Sequence, residues 1–417
     1  MRVCVVGGGA REHALAVVLS RTAEVVCTPG NPGIANSVNT APEDVEADLY
    51  VIGPEAPLVA GVAHRLRAQG RLVFGPDSDG AQLEGSKAWM KDFAVRHSIP
   101  TAAHRVFTEV EPAVTALRDS RGPWVIKTDG LAAGKGVLVT DSMAEAEADV
   151  RAKLGGESFG DAGRRIVVEQ YLDGPEVSVL AVCDGKRAVA LAPAQDFKRV
   201  GDGDSGLNTG GMGAYSPVPF VTKDLLDEIE ETFLRRAIDG MIADGIDYRG
   251  ILYAGLALTS KGPRLVEFNI RFGDPEAEVV LPRFESDLAA LLHQAACGHI
   301  EEEPRFVDDS AVVVVAASEG YPGPAATGRP IQGVEQADAL DGVQVFHAGT
   351  ERARDGQLVS AGGRVLAVTG LGADLATARD RAYEGLSRIT FEGMQYRRDI
   401  AARYAGPKTG PASESLE

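Results

Sequence analysis

Two segments carry residues whose types and spacing could bind a nucleotide. The first, 126–137 (IKTDGLAAGKGV), is a glycine-rich hairpin with Lys127 before it and Lys135 within it. Backbone amides and ammonium groups arranged along such a loop can bind a polyphosphate. It is not a Walker A loop, because Gly130 and Gly134 are too close together and Gly136 stands where a magnesium-binding hydroxyl is needed. The segment predicts a polyphosphate site, with a solvated surface hairpin as the alternative.

The second segment, 265–276 (LVEFNIRFGDPE), has two faces if it forms a strand, because side chains alternate along a strand. Glu267, Asn269 and Arg271 then share one face. A carboxylate and an amide oxygen side by side are hard ligands of the kind that Mg²⁺ takes from proteins, and phosphates and water complete its shell. The segment predicts a magnesium–nucleotide site beside a guanidinium; an edge strand with a solvated Glu/Arg face is the alternative.

Two other segments could complete such a site. In 168–178 (VEQYLDGPEVS), backbone groups at a strand end could hold a base edge and Glu176 a ribose, although this segment alone favours an ordinary strand-turn-strand. The segment 194–217 (AQDFKRVGDGDSGLNTGGMGAYSP) is polar, glycine-dense and too long for an idle connector. Its Asp196, Lys198 and Arg199 supply both charges needed to bind a zwitterion. We expect a loop that covers a site, with a bare mobile loop as the alternative.

The beginning of the chain predicts an anion site. In 5–14 (VVGGGAREHA) three glycines separate a predicted strand from a predicted helix, so backbone amides could face a phosphate. Glu12 occupies the third glycine position of a dinucleotide fingerprint, and the second strand does not end on an acidic residue, which argues against NAD. Arg11 and the loops 29–33 (PGNPG) and 53–58 (GPEAPL) favour an anion site over a tight turn without a ligand.

Composition excludes several classes of partner and chemistry. Forty-two basic and sixty acidic residues among 417 give a net charge of −18, whereas nucleic acids and anionic membranes are bound mainly by Lys and Arg clusters. We therefore expect no nucleic-acid and no membrane partner. Four dispersed cysteines predict neither disulfides nor a zinc site, and indicate a reducing compartment, the cytoplasm. Dispersed histidines and the lack of a GxSxG motif leave no nucleophilic constellation.

The periodicity predicts a multidomain protein that combines α/β and α+β parts. Short β-branched runs alternate with glycine turns and amphipathic stretches over the first hundred residues, which is typical of a parallel sheet. The crossover before Asp48 lacks a helical period, and Ser86 is a predicted helix cap. We predict an N-terminal domain at 1–102, a central domain at 103–319 with a lid at about 120–190, a C-terminal domain at 320–405 and a disordered tail at 406–417.

Taken in order, the motifs resemble the phosphoribosylamine–glycine ligase family over about 1–405. They are GGGAREHA, PGNPG, GPEAPL, LEGSKAWMKDF, KTDGLAAGKG, QDFKRVGDGDSGLNTGGMGAYSP, YAGL and EFNIRFGDPE. The resemblance implies an ATP-grasp fold, with a Rossmann-like pre-ATP-grasp domain, a lid over ATP and a small C-terminal domain. It also implies an ADP-forming ligase of purine biosynthesis that joins glycine to 5-phospho-β-D-ribosylamine through glycyl phosphate, without an enzyme nucleophile.

The resemblance further implies roles for single residues. Those binding ATP would be Lys87, Lys127, Gly134, Lys135, Gly136, Glu169, Leu172 and Glu176, with Glu169 and Leu172 at the adenine edge and Glu176 at the ribose. Glu267 and Asn269 match the ligands of Mg²⁺ or Mn²⁺. Residues binding glycine or the sugar amine would be Gly8, Gly9, Arg11, Asn31, Glu55, Asp196, Lys198, Arg271 and Asp274. Arg271, Asp196 and Lys135 would be catalytic, and we expect a monomer.

Three departures from the family pattern bear on this interpretation. Gly8 replaces an asparagine and Ala10 a glycine in the first loop, the crossover from Asn31 to Asp48 is shorter than usual, and Phe197 and Leu207 replace the commoner His and Pro. Two other functions stay open at this point. One is a related ligase that activates formate or bicarbonate on a purine precursor; the other is a nucleotide-binding regulator that has lost catalysis.

Overall fold

A parallel sheet with helices around it forms the first part of the chain. The computed structural model describes residues 1–132, 136–404 and 406. The strands are β1 (Arg2–Gly7), β2 (Glu24–Pro29), β3 (Leu49–Ile52) and β4 (Val73–Phe74), in the order β2-β1-β3-β4. The helices are α1 (Ala10–Leu19), α2 (Glu55–Val59), α3 (Val62–Ala68), α4 (Gln82–Gly85) and α5 (Lys87–Arg96).

The predicted lean crossover is confirmed. Between β2 and β3 the chain forms only a short 3₁₀ turn, Pro42–Asp44, because its Asn-, Pro- and Ala-rich sequence has no apolar stripe to pack against the sheet. The predicted cap of α5 is also confirmed, since the hydroxyl of Ser86 accepts from the amide of Trp89 at 3.1 Å. Because Lys87 is the first residue of α5, this cap fixes the position of its backbone.

A small antiparallel sheet with its own apolar core follows. Its elements are β5 (His104–Phe107), α6 (Val110–Arg118), β6 (Trp124–Thr128), β7 (Val137–Thr140), α7 (Met143–Leu154) and β8 (Ile166–Gln170), with the strand order β5-β8-β6-β7 and a 3₁₀ turn at Gly160–Arg164. Ile126, Leu117 and Val150 are buried between the sheet and the two helices. The glycine-rich hairpin joins β6 to β7.

The middle of the chain contributes strands to three further sheets, one of them formed by β12 and β13 alone. In chain order come β9 (Glu176–Asp184), β10 (Ala188–Ala190), β11 (Gln195–Asp196), β12 (Arg199–Gly201), β13 (Ser205–Asn208) and β14 (Gly213–Ser216). The prediction of a loop across 194–217 is therefore wrong in part, because this segment contains β11 to β14. The many glycines concealed these short strands, since glycine is depleted in strands in general.

A long interrupted helix and an antiparallel hairpin come next. The helix runs through α8 (Lys223–Ile229), a π-helical turn (Glu230–Arg235) and α9 (Arg236–Ala243). The hairpin consists of β15 (Arg249–Thr259) and β16 (Gly262–Asn269), which extend the central sheet in the order β10-β9-β15-β16. Two further helices are α10 (Ala277–Val280) and α11 (Leu288–Cys297). The strand β16, with its predicted ligands, therefore lies at a sheet edge.

The remaining elements build the last sheet and its covering helix. They are β17 (Ser310–Ala317), α12 (Val334–Asp338), β18 (Val343–His347), β19 (Thr350–Arg352), β20 (Leu358–Ser360), β21 (Arg364–Gly372), α13 (Leu375–Arg388) and a 3₁₀ turn at Ala402–Tyr404. The strand order is β11-β14-β17-β21-β18. The segment 194–217 thus belongs partly to the C-terminal sheet. Most of the predicted tail, 407–417, lies outside the described residues.

In the described part of the chain, no helix is both long enough and apolar enough to cross a membrane.

Candidate active site

The predicted metal ligands lie on one face of β16. Glu267 and Asn269 alternate with Phe268, which is buried in the core as the period of two predicted. Among the described residues, the Glu267 carboxylate makes no hydrogen bond or ion pair. Burial opposes its ionisation, but the surrounding cations, led by Lys87 and Lys127, lower the pKa of Glu267 to about 2. The carboxylate is therefore ionised and open to a ligand.

These donors fit a hard divalent cation. Besides the Glu267 carboxylate, the amide oxygen of Asn269 is available, its contact with Arg271 Nη2 being a long 3.3 Å. Within 1–132 and 136–404 no group of three or more His, Cys, Asp or Glu side chains could hold a metal. A cation at β16 would therefore take most of its shell from phosphate oxygens and water, as Mg²⁺ does in nucleotide sites.

A buried carboxylate lies between two lysines next to this strand. Glu169 Oε2 is 2.9 Å from Lys91 Nζ and Glu169 Oε1 is 3.1 Å from Lys127 Nζ, and all three side chains are at most 5% exposed. Lys127 Nζ also donates to the carbonyl oxygen of Val266 at 3.2 Å, which fixes the ammonium beside Glu267. The Glu169 carboxylate thus orients Lys127. Its contact with adenine stays a prediction.

The N-terminus of α5 connects Lys87 to the glycine-rich hairpin. The Asp129 carboxylate accepts from Ala88 N at 2.7 Å and from the Ser86 hydroxyl at 3.0 Å, and it pairs with Arg165. Lys87 N in turn donates to the carbonyl oxygen of Asp129 at 3.2 Å. A carboxylate at this helix end is favourable because the helix dipole is positive there. These bonds therefore fix Lys87 to the start of the hairpin.

The hairpin and the turn after β8 carry further residues that were predicted to bind ATP. Gly134 and Lys135 lie outside the described residues, so their contacts with ATP stay predictions. At Gly136 a Cβ would lie 2.1 Å from Thr128 Oγ1, so the close strand approach requires glycine there. Leu172 is half-buried and follows β8 by two residues, a position consistent with its predicted role.

Arg271 connects the central sheet to the N-terminal part of the chain. Its Nη2 donates to Glu84 Oε1 at 2.8 Å and its Nε lies 3.4 Å from Glu55 Oε2. Burial opposes a charge on the guanidinium, but Glu84 and Glu55 outweigh it and raise the pKa of Arg271. Glu84 Oε2 also accepts from Ile270 N at 2.9 Å. The structure thus brings the predicted residues Arg271, Glu55 and Asn269 together. The carboxylates of Glu84 and Glu55 hold the Arg271 guanidinium in place.

The first glycine loop is closed by its own side chains. Gly9 N donates to Glu12 Oε2 at 2.6 Å, and Arg11 Nε lies 2.5 Å from Glu12 Oε1. Arg11 Nη1 donates to the carbonyl oxygen of Phe272 at 3.2 Å, next to Arg271 in the chain. The Gly9 amide, which the sequence suggested could face a phosphate, is therefore already paired with a carboxylate. Its contact with the sugar phosphate stays a prediction.

The second loop explains why Gly8 lacks a side chain. A Cβ at Gly8 would lie 2.3 Å from the carbonyl oxygen of Gly30. The two loops are also linked by Asn31, whose Nδ2 donates to Gly8 O at 3.0 Å and to His347 O at 2.8 Å. The close approach of the loops leaves no room for a side chain at this position. Through His347 the C-terminal sheet reaches the predicted substrate loops.

Asp274 lies where three parts of the chain meet. Arg364 Nη1 is 3.0 Å from Asp274 Oδ1 and donates to Gly210 O at 2.8 Å. A Cβ at Gly9 would lie 3.8 Å from Asp274 Oδ2, so the first glycine loop is adjacent. One arginine of β21 thus binds both Asp274, which follows β16, and the segment 194–217, next to the N-terminal loop.

Asp196 and Lys198 belong to a cluster of charged side chains in which carboxylates outnumber cations. Lys198 Nζ is 3.4 Å from Asp196 Oδ1 and also pairs with Glu176, which was predicted to bind ribose. Burial raises the pKa of Asp196 to about 7, with Lys198 opposing the rise and Glu276 adding to it. Glu276 is buried, and Tyr253 Oη lies 2.5 Å from its Oε1. An ammonium group is the ligand that such a surplus of carboxylates would bind best.

Several residues at the site were not predicted from the sequence: Glu84, Lys91, Glu276, His347 and Arg364. Glu84 and Lys91 lie within the motif around Lys87, and the signal that could have identified them is a charge directly after an apolar residue, Leu83 or Met90, on a short helix. Lys91 is fully buried, and burial lowers its pKa to about 8 even though Glu169 opposes that shift. His347 and Arg364 carry no comparable signal, because only the tertiary fold brings them to the site.

Comparisons with known proteins place this geometry in a family. The phosphoribosylglycinamide synthetase N domain matches residues 1–84, the ATP-grasp (A) domain 85–277 and the C domain 311–403. The chain is 50% identical to phosphoribosylamine–glycine ligase of Streptomyces coelicolor over 97% of this chain and 100% of that protein. It is 46% identical to that of Pseudomonas aeruginosa over 98% and 100%.

Solved structures agree on the fold. The crystal structure of phosphoribosylamine–glycine ligase from Thermotoga maritima matches with a TM-score of 0.85 and 35% identity, over 96% of this chain and 100% of that one. N5-carboxyaminoimidazole ribonucleotide synthetase from the same organism matches at 0.64 and 15% identity, over 94% and 99%, which supports the fold alone. The expected ATP-grasp fold is confirmed. The chain belongs to the phosphoribosylglycinamide synthetase family, whose central domain is an ATP-grasp domain.

Proposed function

We propose that this chain is a ligase that joins glycine to 5-phospho-β-D-ribosylamine with ATP, giving glycinamide ribonucleotide, ADP and phosphate in purine biosynthesis. The names of its relatives support this activity. The observation that carries it is the meeting of Glu267, Asn269 and Arg271 at the end of β16 with Glu55 of the N-terminal domain. A nucleotide site and a sugar-amine site would share this point.

The reaction needs alignment and cations more than it needs a nucleophile. A carboxylate oxygen of glycine attacks the γ-phosphorus of ATP, which forms glycyl phosphate and releases ADP. The sugar amine then attacks the acyl carbon, loses a proton to solvent and expels phosphate with an oxygen from glycine. Lys87, Lys127 and Lys135 hold the phosphates, while Arg271 neutralises charge on the acyl phosphate.

Glu267 and Asn269 would hold Mg²⁺ or Mn²⁺ against the nucleotide. When bound, the cation neutralises phosphate charge and polarises the transferring group. Glu267 is suited to this role because it is ionised at every physiological pH and has no partner among the described residues. Asn269 adds a neutral oxygen donor, so the pair does not concentrate negative charge near the phosphates.

Asp196 binds the glycine ammonium, assisted by the buried carboxylate of Glu276. Glu169 and Leu172 contact the adenine edge and Glu176 the ribose, while Gly8, Gly9, Arg11, Asn31 and Asp274 hold the sugar amine with Glu55. The domain limits at 102, 319 and 405, the monomeric state, the cytoplasmic location and the absence of nucleic-acid and membrane partners are part of the same proposal.

Phosphate release tests the proposed activity. We expect release with ATP, Mg²⁺, glycine and phosphoribosylamine, the last generated in situ from ribose 5-phosphate and ammonia. Omitting glycine or ribose 5-phosphate should each reduce the release to background. Release that needs formate or bicarbonate in place of glycine would support the related ligase, and ATP binding without release would support the regulator.

The pKa of Asp196 predicts a pH dependence specific to glycine. Burial raises that pKa to about 7, so below pH 7 the carboxyl is increasingly neutral and loses its attraction for the glycine ammonium. We expect kcat/KM for glycine to fall up to about tenfold per pH unit below 7, while KM for ATP changes little. A matched profile of Asp196→Asn should be lower and flat; a flat wild-type profile between pH 6 and 8 would contradict this role.

A further inference from the structure

Arg397 is a buried arginine that binds the hairpin next to the proposed glycine site. Its side chain is 1% exposed, although it lies after α13 and far along the chain from that hairpin. Nη1 donates to Asp204 Oδ1 at 2.7 Å and to the carbonyl oxygen of Arg199 at 3.1 Å. Nε and Nη2 donate to the two carboxylate oxygens of Asp399 at 2.8 and 2.7 Å. The guanidinium thus connects β12 to the C-terminal segment.

The neighbours of Arg397 hold the tip of the same hairpin. Arg398 N donates to Asp202 Oδ1 at 2.8 Å, and Gly203 N donates to Asp399 Oδ2 at 2.8 Å. The turn between β12 and β13 is therefore bound by consecutive residues of the C-terminal segment. Because the hairpin tip is exposed, these contacts restrain a part of the chain that its own two short strands would hold weakly.

Arg397 also packs against Phe197, the residue between Asp196 and Lys198. Its guanidinium carbon is 4.9 Å from the centre of the Phe197 ring, a cation–π contact. Phe197 N donates to Gly213 O at 2.9 Å, so the extended pairing of β11 continues through this residue. In an extended chain the residues on either side of Phe197 point the other way. Asp196 and Lys198 accordingly contact each other, 3.4 Å apart, on the face opposite Arg397.

We propose that Arg397 is a positioning residue for the amino-acid site. Its guanidinium packs on the Phe197 ring and donates to the Arg199 carbonyl oxygen. These contacts set the distance between the Asp196 carboxylate and the Lys198 ammonium. Both the charge and the planar fork of the guanidinium are used, since it donates to four acceptor atoms on three residues and stacks on a ring. The proposal rests on the proposed function, in which Asp196 binds the glycine ammonium.

The chain offers a matched control in Arg379. This residue of α13 holds the same C-terminal segment, its Nε donating to Ile400 O at 3.0 Å and its Nη2 to Arg398 O at 2.7 Å. It makes none of the described contacts with the hairpin. A variant of Arg379 loosens the segment without removing the bonds to β12, so it separates general stability from positioning.

Steady-state kinetics of Arg397→Ala, Arg397→Lys and Arg379→Ala test the proposal. For Arg397→Ala we expect KM for glycine to rise about tenfold or more, as the loss of a charge-assisted contact predicts, and KM for ATP to stay within about twofold. Arg397→Lys should recover only part of the effect, and Arg379→Ala should leave both KM values near those of the wild type.

A second variant keeps the test decisive if Arg397→Ala does not fold. Asp202→Asn/Asp204→Asn removes the hairpin-tip charges from exposed side chains, so the core is untouched, and it should also raise KM for glycine selectively. Unchanged KM for glycine in folded Arg397→Ala or in Asp202→Asn/Asp204→Asn, or an equal rise of KM for ATP and glycine in them, would overturn the proposal. Wild-type protein without glycine-dependent phosphate release would instead overturn the proposed function.

Discussion

Glu267→Gln should reduce metal-dependent phosphate release by about 10²-fold or more, because a bound cation contributes several kcal/mol to phosphoryl transfer. The variant keeps the shape of the side chain and removes one charge. Since the pKa of Glu267 is about 2, the wild-type carboxylate is ionised throughout the assay range and the loss should be equal at pH 6 and pH 8. Titrating Mg²⁺ should show a higher concentration for half-maximal rate.

Glu231→Gln provides the matched control for this prediction. Glu231 is an exposed glutamate of the π-helical turn, paired at 3.2 Å with Arg235 on the surface, and exposed pairs of this kind contribute little. Its rate and its Mg²⁺ dependence should match those of the wild type. If Glu267→Gln retained the wild-type rate and the wild-type Mg²⁺ dependence, Glu267 would be removed from the metal site.

Arg271→Ala should lower kcat by about 10²- to 10³-fold while the Kd for ATP changes only a few fold, because the guanidinium stabilises charge that develops during transfer. The substitution also leaves Glu84 buried without its cation, which costs about 3 to 5 kcal/mol of stability. Thermal melting must therefore accompany the kinetics. Rates should be compared at a temperature where the variant is folded.

A double variant separates the two effects of Arg271. Glu84→Gln/Arg271→Ala removes the stranded carboxylate, so it should recover much of the stability without recovering kcat. Arg271→Lys should retain the charge but lose the fork that bonds Glu84 and approaches Glu55, and is expected between the wild type and Arg271→Ala. A variant with a raised Kd for ATP but the wild-type kcat at saturating ATP would contradict the role given to Arg271.

The elements that local patterns specify were predictable from the sequence. The alternation along β16 predicted which face carries Glu267 and Asn269, and the Ser86 cap predicted the start of α5 beside Lys87. The helix α13 follows the same rule, since its buried residues Leu375, Ala378, Ala382 and Leu386 recur at helical spacing. Each of these features depends on residues close together in the chain.

Features set by long-range contacts were not predictable. Nothing near Asn31 indicates that its amide donates to the carbonyl oxygen of His347, because the two residues are 316 positions apart in the chain. The pairing of β11 with β14 depends on glycine-rich segments with little strand propensity of their own. Lys91 meets Glu169 and Lys127 only after the helix α5 packs against the small antiparallel sheet. The burial and pairing of these charged side chains therefore cannot be predicted from short stretches of sequence.

Oxygen-isotope transfer shows whether the site activates the carboxyl group of glycine by phosphoryl transfer. Glycine labelled with ¹⁸O in both carboxylate oxygens would be turned over with ATP, Mg²⁺ and phosphoribosylamine, and the released phosphate analysed by mass spectrometry. We expect one ¹⁸O in each phosphate and one in the product amide, because the attacking oxygen leaves with phosphate. Phosphate without ¹⁸O, accompanied by ligated product, would contradict it.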